Sequence, residues 1–480
     1  MEKSKLIILL KTLSTSEFKQ FGSYLEGASF RKTSGAYLLF NYIKKFHPDY
    51  PESKVSKEVV KKKVSKNNVP TNQRLFDLMY ILYTSLENFL IQKKLEVDKA
   101  ERDLLVLDIL KDRKLDKLFF LKANQVEKDW SKSHFEGIEH LHNIYKLHNM
   151  SFLHPNHSIF SKNVISQETL AKDIDSYYYS AKLYTTLIHK LNQKVIVSKN
   201  PIIDKNSKMI LEAIVNLSTT ENFANIPQIA LLGNLLKSLN DQDYSNISNL
   251  QNQFKEHLSK YNQYEKHDII HALIRMNYAN HLAGNENAAR KMFELNKFAV
   301  DNMIIIEDGF IQSEYFKQIV DVACTVGELD WTENFITNYS KYLKSEFKEH
   351  NLALCNALVL FEKGHYSDVL SKITQVQFEN PVYAVQIKAL QLQCYFELED
   401  YDDLFFNLAK SYSTYLKRNN VLPQNFIEPY ETFIKFTKKL YLAKHSIDHK
   451  SDNLIAEISS LQKVIKKRWL LSKAQENKSS

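Results

Sequence analysis

The 480-residue chain is 44% hydrophobic and carries a net charge of +8, so it is long and apolar enough to bury a sizeable core. It holds only 9 Gly and 9 Pro, against roughly 12% for the pair in average usage, which excludes a fold rich in β-hairpins and predicts an all-α protein of long helices with short connections. The charge gathers at the ends, with 18 Lys+Arg against 10 Asp+Glu in residues 1–100 and 11 against 5 in 431–480; basic ends can attract phosphate, but no zinc-finger, RRM or KH signature accompanies them, and a nucleic-acid partner is not expected.

Residues 1–98 read as a small basic helical domain. The opening "MEKSKLIILLKTLS" has too short an apolar run for a secretory leader, and no later stretch approaches the ~18 apolar residues of a membrane span. A cytoplasmic protein is expected. Ser14 and Glu17 have the spacing of a capping box and predict a helix start. Leu75, Leu78, Met79, Leu82, Leu86, Phe89 and Leu90 recur by threes and fours, marking the buried stripe of a helix of about five turns. Pro48 and Pro51 punctuate the connection before it, and "KKKVSK" at 61–66 reads as a solvated helix face.

Residues 99–260 read as an irregular helical-hairpin region, interrupted at "SFLHPNHSIFSKN", "SKNPIIDKNSK" and "LSTTENFANIP", with Pro227 near a helix start. Histidines crowd this region at His134, His140, His142, His148, His154 and His157. Helical spacing spreads them over ~20 Å from His134 to His148, too far for one metal. Glu139 and His142 have the i, i+3 spacing of one arm of a di-iron bundle, but no second arm accompanies them.

From 261 to 450 the chain repeats itself. Turn-like strings centred on Gly284, Gly327, Gly364 and Glu399 separate helical stretches at steps of 43, 37 and 35 residues, a period that fits stacked helical hairpins. Within 350–411, Ala357, Gly364, Tyr366 and Pro381, followed by Tyr395 and Tyr401, resemble two degenerate tetratricopeptide repeats; Gly284, Ala289 and Phe293 fit the same pattern earlier. Val369, Leu392 and Glu399 depart from it by placing larger residues at small positions. The resemblance covers residues 260–415 or so, and the whole chain resembles large all-helical bacterial proteins with no assigned activity. It implies a tetratricopeptide-like α-solenoid whose first helices line a groove. The family's groove positions fall on Asn351, Leu354, Leu358 and Phe361, then on Gln386, Ala389, Gln393 and Phe396. This set has no Lys or Arg, so it implies an apolar or amphipathic peptide or helix as ligand, with Phe361 and Phe396 as anchors.

Beyond the repeats, Leu454, Ile458, Leu461, Ile465 and Trp469 predict a C-terminal capping helix over 451–473, followed by a disordered tail at 474–480. Catalytic signals are sparse. The three cysteines, Cys324, Cys355 and Cys394, match no CxxC spacing. "HDIIH" puts His267 and His271 on one helix face beside Asp268, but with an aspartate in place of the usual glutamate and no third ligand downstream. There is no phosphate-cradling glycine loop or nucleophile elbow. The sequence therefore favours a non-catalytic recognition or scaffolding protein with no metal or cofactor and an unidentified protein or peptide partner. The alternatives are a metal-dependent hydrolase centred on His267 and His271, and a nucleic-acid-associated factor using the basic ends.

Overall fold

Local capping chemistry sets the first helix boundaries. The Glu17 N–H donates to the Ser14 hydroxyl at 3.2 Å, and the Ser14 N–H donates to Glu17 Oε2 at 2.8 Å, satisfying two backbone donors that a helix start leaves open. The structure, a computed structural model, describes residues 2–27, 34–64, 70–132, 137–160, 165–192, 205–218, 226–282, 285, 287–374, 381–398, 402–444, 451–461 and 463–479. Among the described residues the fold is all-α, without a strand. No described helix is long and apolar enough to cross a membrane.

The chain packs as two units, Met1–Lys132 with Asn143–Leu170, and Ser133–His142 with Ala171–Ser480. The first contains α1 (Lys5–Lys11), α2 (Thr15–Gly27), α3 (Gly35–Ile43), α4 (Glu52–Val55), α5 (Lys57–Val64), α6 (Asn72–Val97), α7 (Lys99–Asp112) and α8 (Asp116–Ser131), with most of α9 (Ile138–Phe152) and α10 (His157–Phe160). The stripe on α6 is its spine. Leu75, Leu78, Met79, Leu82, Leu86 and Phe89 are buried against Leu6, Ile7 and Leu10 of α1, Phe21 of α2, and Leu39 and Phe40 of α3, each large apolar side chain contributing about 1.5–3 kcal/mol by burial. Leu90 lies at the edge of this cluster. On α5, Val60 and Val64 point inward while Lys62 and Lys63 face solvent; Lys66 lies outside the described residues. A second cluster joins Leu104 and Leu107 to Phe119, Phe120, Val126, Trp130 and Leu147.

The second unit is a succession of helices: α11 (Gln167–Asn192), α12 (Lys205–Ser218), α13 (Pro227–Asp241), α14 (Ile247–Glu256), α15 (Gln263–Leu282), α16 (Ala288–Asp301), α17 (Ser313–Thr325), α18 (Leu329–Tyr339), α19 (Ser345–Glu362), α20 (Tyr366–Thr374), α21 (Pro381–Leu398), α22 (Asp402–Arg418), α23 (Gln424–Lys444), α24 (Ser451–Ser460) and α25 (Lys467–Ser479). From α12 to α25 each packs on the next, and α17 also meets α19, α19 meets α21, and α21 meets α23. Three apolar clusters follow one another along this order.

Two of the turn glycines have a backbone reason. Gly327 and Gly364 take φ of +79° and +78°, and the next residues, Glu328 and His365, donate back to the Ala323 and Leu360 carbonyls at 3.0 Å each. This is the left-handed helix stop that glycine permits without steric cost. Gly284, Glu399 and Tyr401 lie outside the described residues. Ala357 and Ala289 are buried at helix contacts, as are Phe293 and the larger Val369 and Leu392.

The C-terminal stretch differs from its periodicity. Where the apolar pattern predicts one helix over 451–473, two helices stand, the first ending at Ser460 and the second running from Lys467 through Ser479. Lys466 is left-handed at φ +51°. Lys467 Nζ donates to the carbonyls of Ser459 at 2.8 Å and Leu461 at 2.6 Å, closing the end of α24 with a cation.

Candidate recognition surface

The eight positions selected by the repeat pattern lie on α19 and α21, mostly inside the helical layers. Asn351 is fully buried. Its Nδ2 donates to the Ser313 carbonyl at 2.7 Å and the Tyr383 hydroxyl at 3.2 Å, so one amide fastens α19 to α17 and α21. Leu354 and Phe361 are core residues of one cluster, and Ala389 and Phe396 of the next. Leu358 is half-buried at the margin of its layer, and Gln393 is buried. Gln386 is half-buried and accepts from Lys317 Nζ at 3.0 Å. The Phe361 ring meets Tyr366 at 5.2 Å. Phe396 meets Phe405, Tyr441 and Trp469.

Trp469 belongs to α25, and it introduces a set of contacts that the repeat pattern did not select. Residues 463–477 reach helices α17, α21 and α23 through side chains. Lys466 Nζ pairs with Asp321 Oδ1 of α17 at 2.7 Å, and Arg468 donates to the Thr325 carbonyl at the end of α17 at 2.5 Å. Trp469 Nε1 donates to Glu397 Oε1 of α21 at 2.8 Å, and Lys473 Nζ pairs with Glu397 Oε2 at 2.9 Å. The indole stands edge-on to Phe396 at 5.1 Å and lies 6.0 Å from Phe433 of α23. Asn477 donates to the Leu440 carbonyl at 3.0 Å. Leu470 and Ala474 are fully buried beneath the segment.

The electrostatics match. Asp321, Glu362 and Glu397 come from three successive odd-numbered helices, α17, α19 and α21. Burial opposes the charge of Asp321, but the Lys466 ammonium outweighs it and holds the carboxyl below its usual range. Burial raises the Glu362 carboxyl, and Lys466 and Arg468 counter part of that rise. For Lys473, burial works against the charged form, and Glu476 and Glu397 more than compensate. Nothing in the sequence marks these carboxylates, which sit among many exposed acids on helices. The only hint is the cluster of cations on the segment that meets them, Lys466 and Arg468 near Asp321 and Glu362 and Lys473 at Glu397.

His267 and His271 form a different cluster. They share one face of α15 with ring centroids 4.3 Å apart, and Tyr315 of α17 closes against His271 at 4.3 Å. His267 Nδ1 lies 3.1 Å from Glu307 Oε1, and the two Nε2 atoms face each other at 3.2 Å. A neutral pair satisfies both contacts when His267 donates to Glu307 and His271 donates to His267. Asp268 is taken by the Tyr184 hydroxyl at 2.5 Å. Burial, with His267 adding to it, pushes the His271 imidazole down to about 3. The arrangement ties α15 to α11, α17 and the Glu307 turn through a polar network. Among the described residues no group of three or more His, Cys, Asp or Glu is placed to hold a metal ion.

The other histidines are dispersed. His142 stacks on Tyr177 at 4.5 Å. His154 packs between Phe119 and Phe120 with Nε2 3.6 Å from Asp116, and burial lowers its pKa; His148 Nε2 is 3.6 Å from Glu127. His134 lies outside the described residues. The three thiols are buried, and burial raises each of them, Cys324 to about 12, which leaves them protonated and poor nucleophiles. Comparison with family models, with curated proteins and with solved structures finds no match to this chain.

Proposed function

We propose that the second unit is a tetratricopeptide-like array of stacked helical hairpins, and that the protein works by non-catalytic recognition of a helical or peptide segment along its odd-numbered helices. The observation that carries this reading is the seating of α25 and of Lys466 just before it: the segment meets α17, α21 and α23 through an indole, three cations and the carboxylates of Asp321 and Glu397. Hairpins that cannot bury their apolar faces alone stack on one another, and the first helices of successive hairpins then make a continuous wall. The direct packing of α17 on α19, α19 on α21 and α21 on α23 supports this. Phe396 serves the wall by meeting the aromatic anchor of the seated segment.

The test is affinity capture from the native cell with the full chain and with an Asp321→Lys, Glu397→Lys variant of equal helicity. Proteins held by the parent chain and lost by the variant are the expected result. Capture indifferent to both substitutions would place recognition elsewhere. One equivalent of zinc per chain, lost on joint His267→Ala and His271→Ala substitution, would replace recognition with metal chemistry.

A further inference from the structure

We infer that residues 463–478 occupy the recognition wall in place of a partner, and that the partner is a cationic amphipathic helix carrying a tryptophan-like anchor. This rests on the recognition reading above and specifies its ligand. Of the chain's segments, this one meets the wall at several helices in turn. Its residues "KVIKKRWLLSKAQENK" hold six Lys or Arg and one Glu, and three of those cations meet the wall directly: Lys466 at Asp321, Arg468 at the Thr325 carbonyl, Lys473 at Glu397.

Charge complementarity selects the ligand class. Glu397 uses both carboxylate oxygens on the segment, one for the indole N–H and one for Lys473, and the Lys473 and Glu397 side chains are only 15% and 10% exposed. A carboxylate covered to that degree requires a cation or donor in any occupant. An acidic or purely apolar helix would leave it unpaired. The aromatic wall of Phe396 and Phe433 beside it takes a flat ring edge-on. A ligand therefore presents a basic residue, an aromatic one, and a second basic residue one helical turn further on, as Arg468, Trp469 and Lys473 do.

The segment meets the wall by side chains, while Leu470 and Ala474 hold it in the apolar cluster of the C-terminal helices. Lys463–Lys466 ahead of α25 are non-helical, with Lys466 left-handed. The close helix packing of α25 is with α23 and α24, and α17 and α21 are reached by side chains, of which the partly exposed Lys466–Asp321 pair is the contact that salt screens most.

Hydrogen exchange of the full parent chain at low and high salt, read for α25 against α21 and α23, tests release without a substitution. We expect the α25 amides to exchange at least about tenfold faster than those of α21, with the gap widening in high salt. The second arm uses a fluorescent synthetic peptide of residues 463–478 added to the full chain and to a Trp469→Ala, Lys473→Ala variant with a loosened segment. The variant should bind the peptide about tenfold more tightly than the parent chain, and Glu397→Gln added to it should abolish the gain. Equal protection of α25, α21 and α23 at both salt concentrations would overturn the proposal by making the segment an integral part of the core; that result decides even where the variant fails to fold. A folded variant that ignores the peptide, or a parent chain that dimerises by exchanging its segments, would also overturn it. Wall-dependent capture in the preceding experiment would survive any of these results, so the recognition reading and the ligand assignment fail separately.

Discussion

His271 illustrates how a residue that suggests chemistry can serve structure. Its ring lies between His267 and Tyr315, and burial and the neighbouring imidazole lower its pKa to about 3 from the ordinary 6.5. The sign of the consequence follows from proton linkage: between about pH 6.5 and 3 the unfolded chain binds a proton at this site that the folded chain refuses. Stability therefore falls as pH drops through that window, by up to roughly 1.4 kcal/mol per pH unit from this group, and the loss is complete below about pH 3. Thermal unfolding of the parent chain and of His271→Phe between pH 7 and pH 4 should show the shallower slope in the variant. The i, i+4 spacing of the two histidines was legible in "HDIIH"; their neighbours Glu307 and Tyr315 were not, because they arrive from a turn and a helix further along the chain. Asn351 shows the same limit. The repeat pattern places it on a groove, and tertiary packing employs it as a buried tie between three helices.

Among the elements, helix stops were the most readable feature wherever glycine makes them. Gly327 and Gly364 take the left-handed conformation after α17 and α19, but α7 and α16 end in the same way with Lys114 at φ +55° and Met303 at φ +56°. In these, Leu115 donates to the Leu110 carbonyl at 3.0 Å and Ile304 to Ala299 at 2.8 Å. A side chain in that region costs about 1 kcal/mol that glycine avoids. Gly364→Ala should therefore lower stability by about 1 kcal/mol, while Lys114→Gly should raise it or leave it unchanged after the entropy glycine loses on folding, as denaturant midpoints would show. A sign reversal in that pair would mean that the turn bonds do not depend on the left-handed residue. The break before α25 was hidden for a related reason. No glycine or proline stands between Ser460 and Lys467, and the apolar spacing continues across that connection, since Leu454 and Ile458 of α24, Leu461 and Ile465 of the connection and Trp469 of α25 all join one apolar cluster.

Across the whole second unit, the apolar interior is divided among consecutive clusters, as suits an array in which each layer contacts its neighbours. The thiols report on separate layers: Cys324 and Cys355 belong to the first cluster and Cys394 to the next. Because all three are buried, a thiol reagent reaches them only when their layer opens. Native-state labelling followed by mass spectrometry should find Cys324 and Cys355 reacting together and Cys394 at its own rate. One common rate for all three would show that the unit opens as a single cooperative body.

The sequence by itself determined the class of structure. Scarce glycine and proline, apolar residues recurring by threes and fours, and a capping box at Ser14 specify helices through chemistry acting within one or two turns of the chain. Its repeat of turn glycines specified where two of those helices stop. Only the tertiary structure decided which polar residues meet. Asp321 and Lys466 are 145 positions apart and Glu397 and Trp469 are 72 apart, and a carboxylate on a helix carries the same local pattern whether it faces water or an ammonium group. Charge pairing and burial across such distances follow from how the helices stack, and the stacking sums many small apolar contacts that no single stretch of sequence contains.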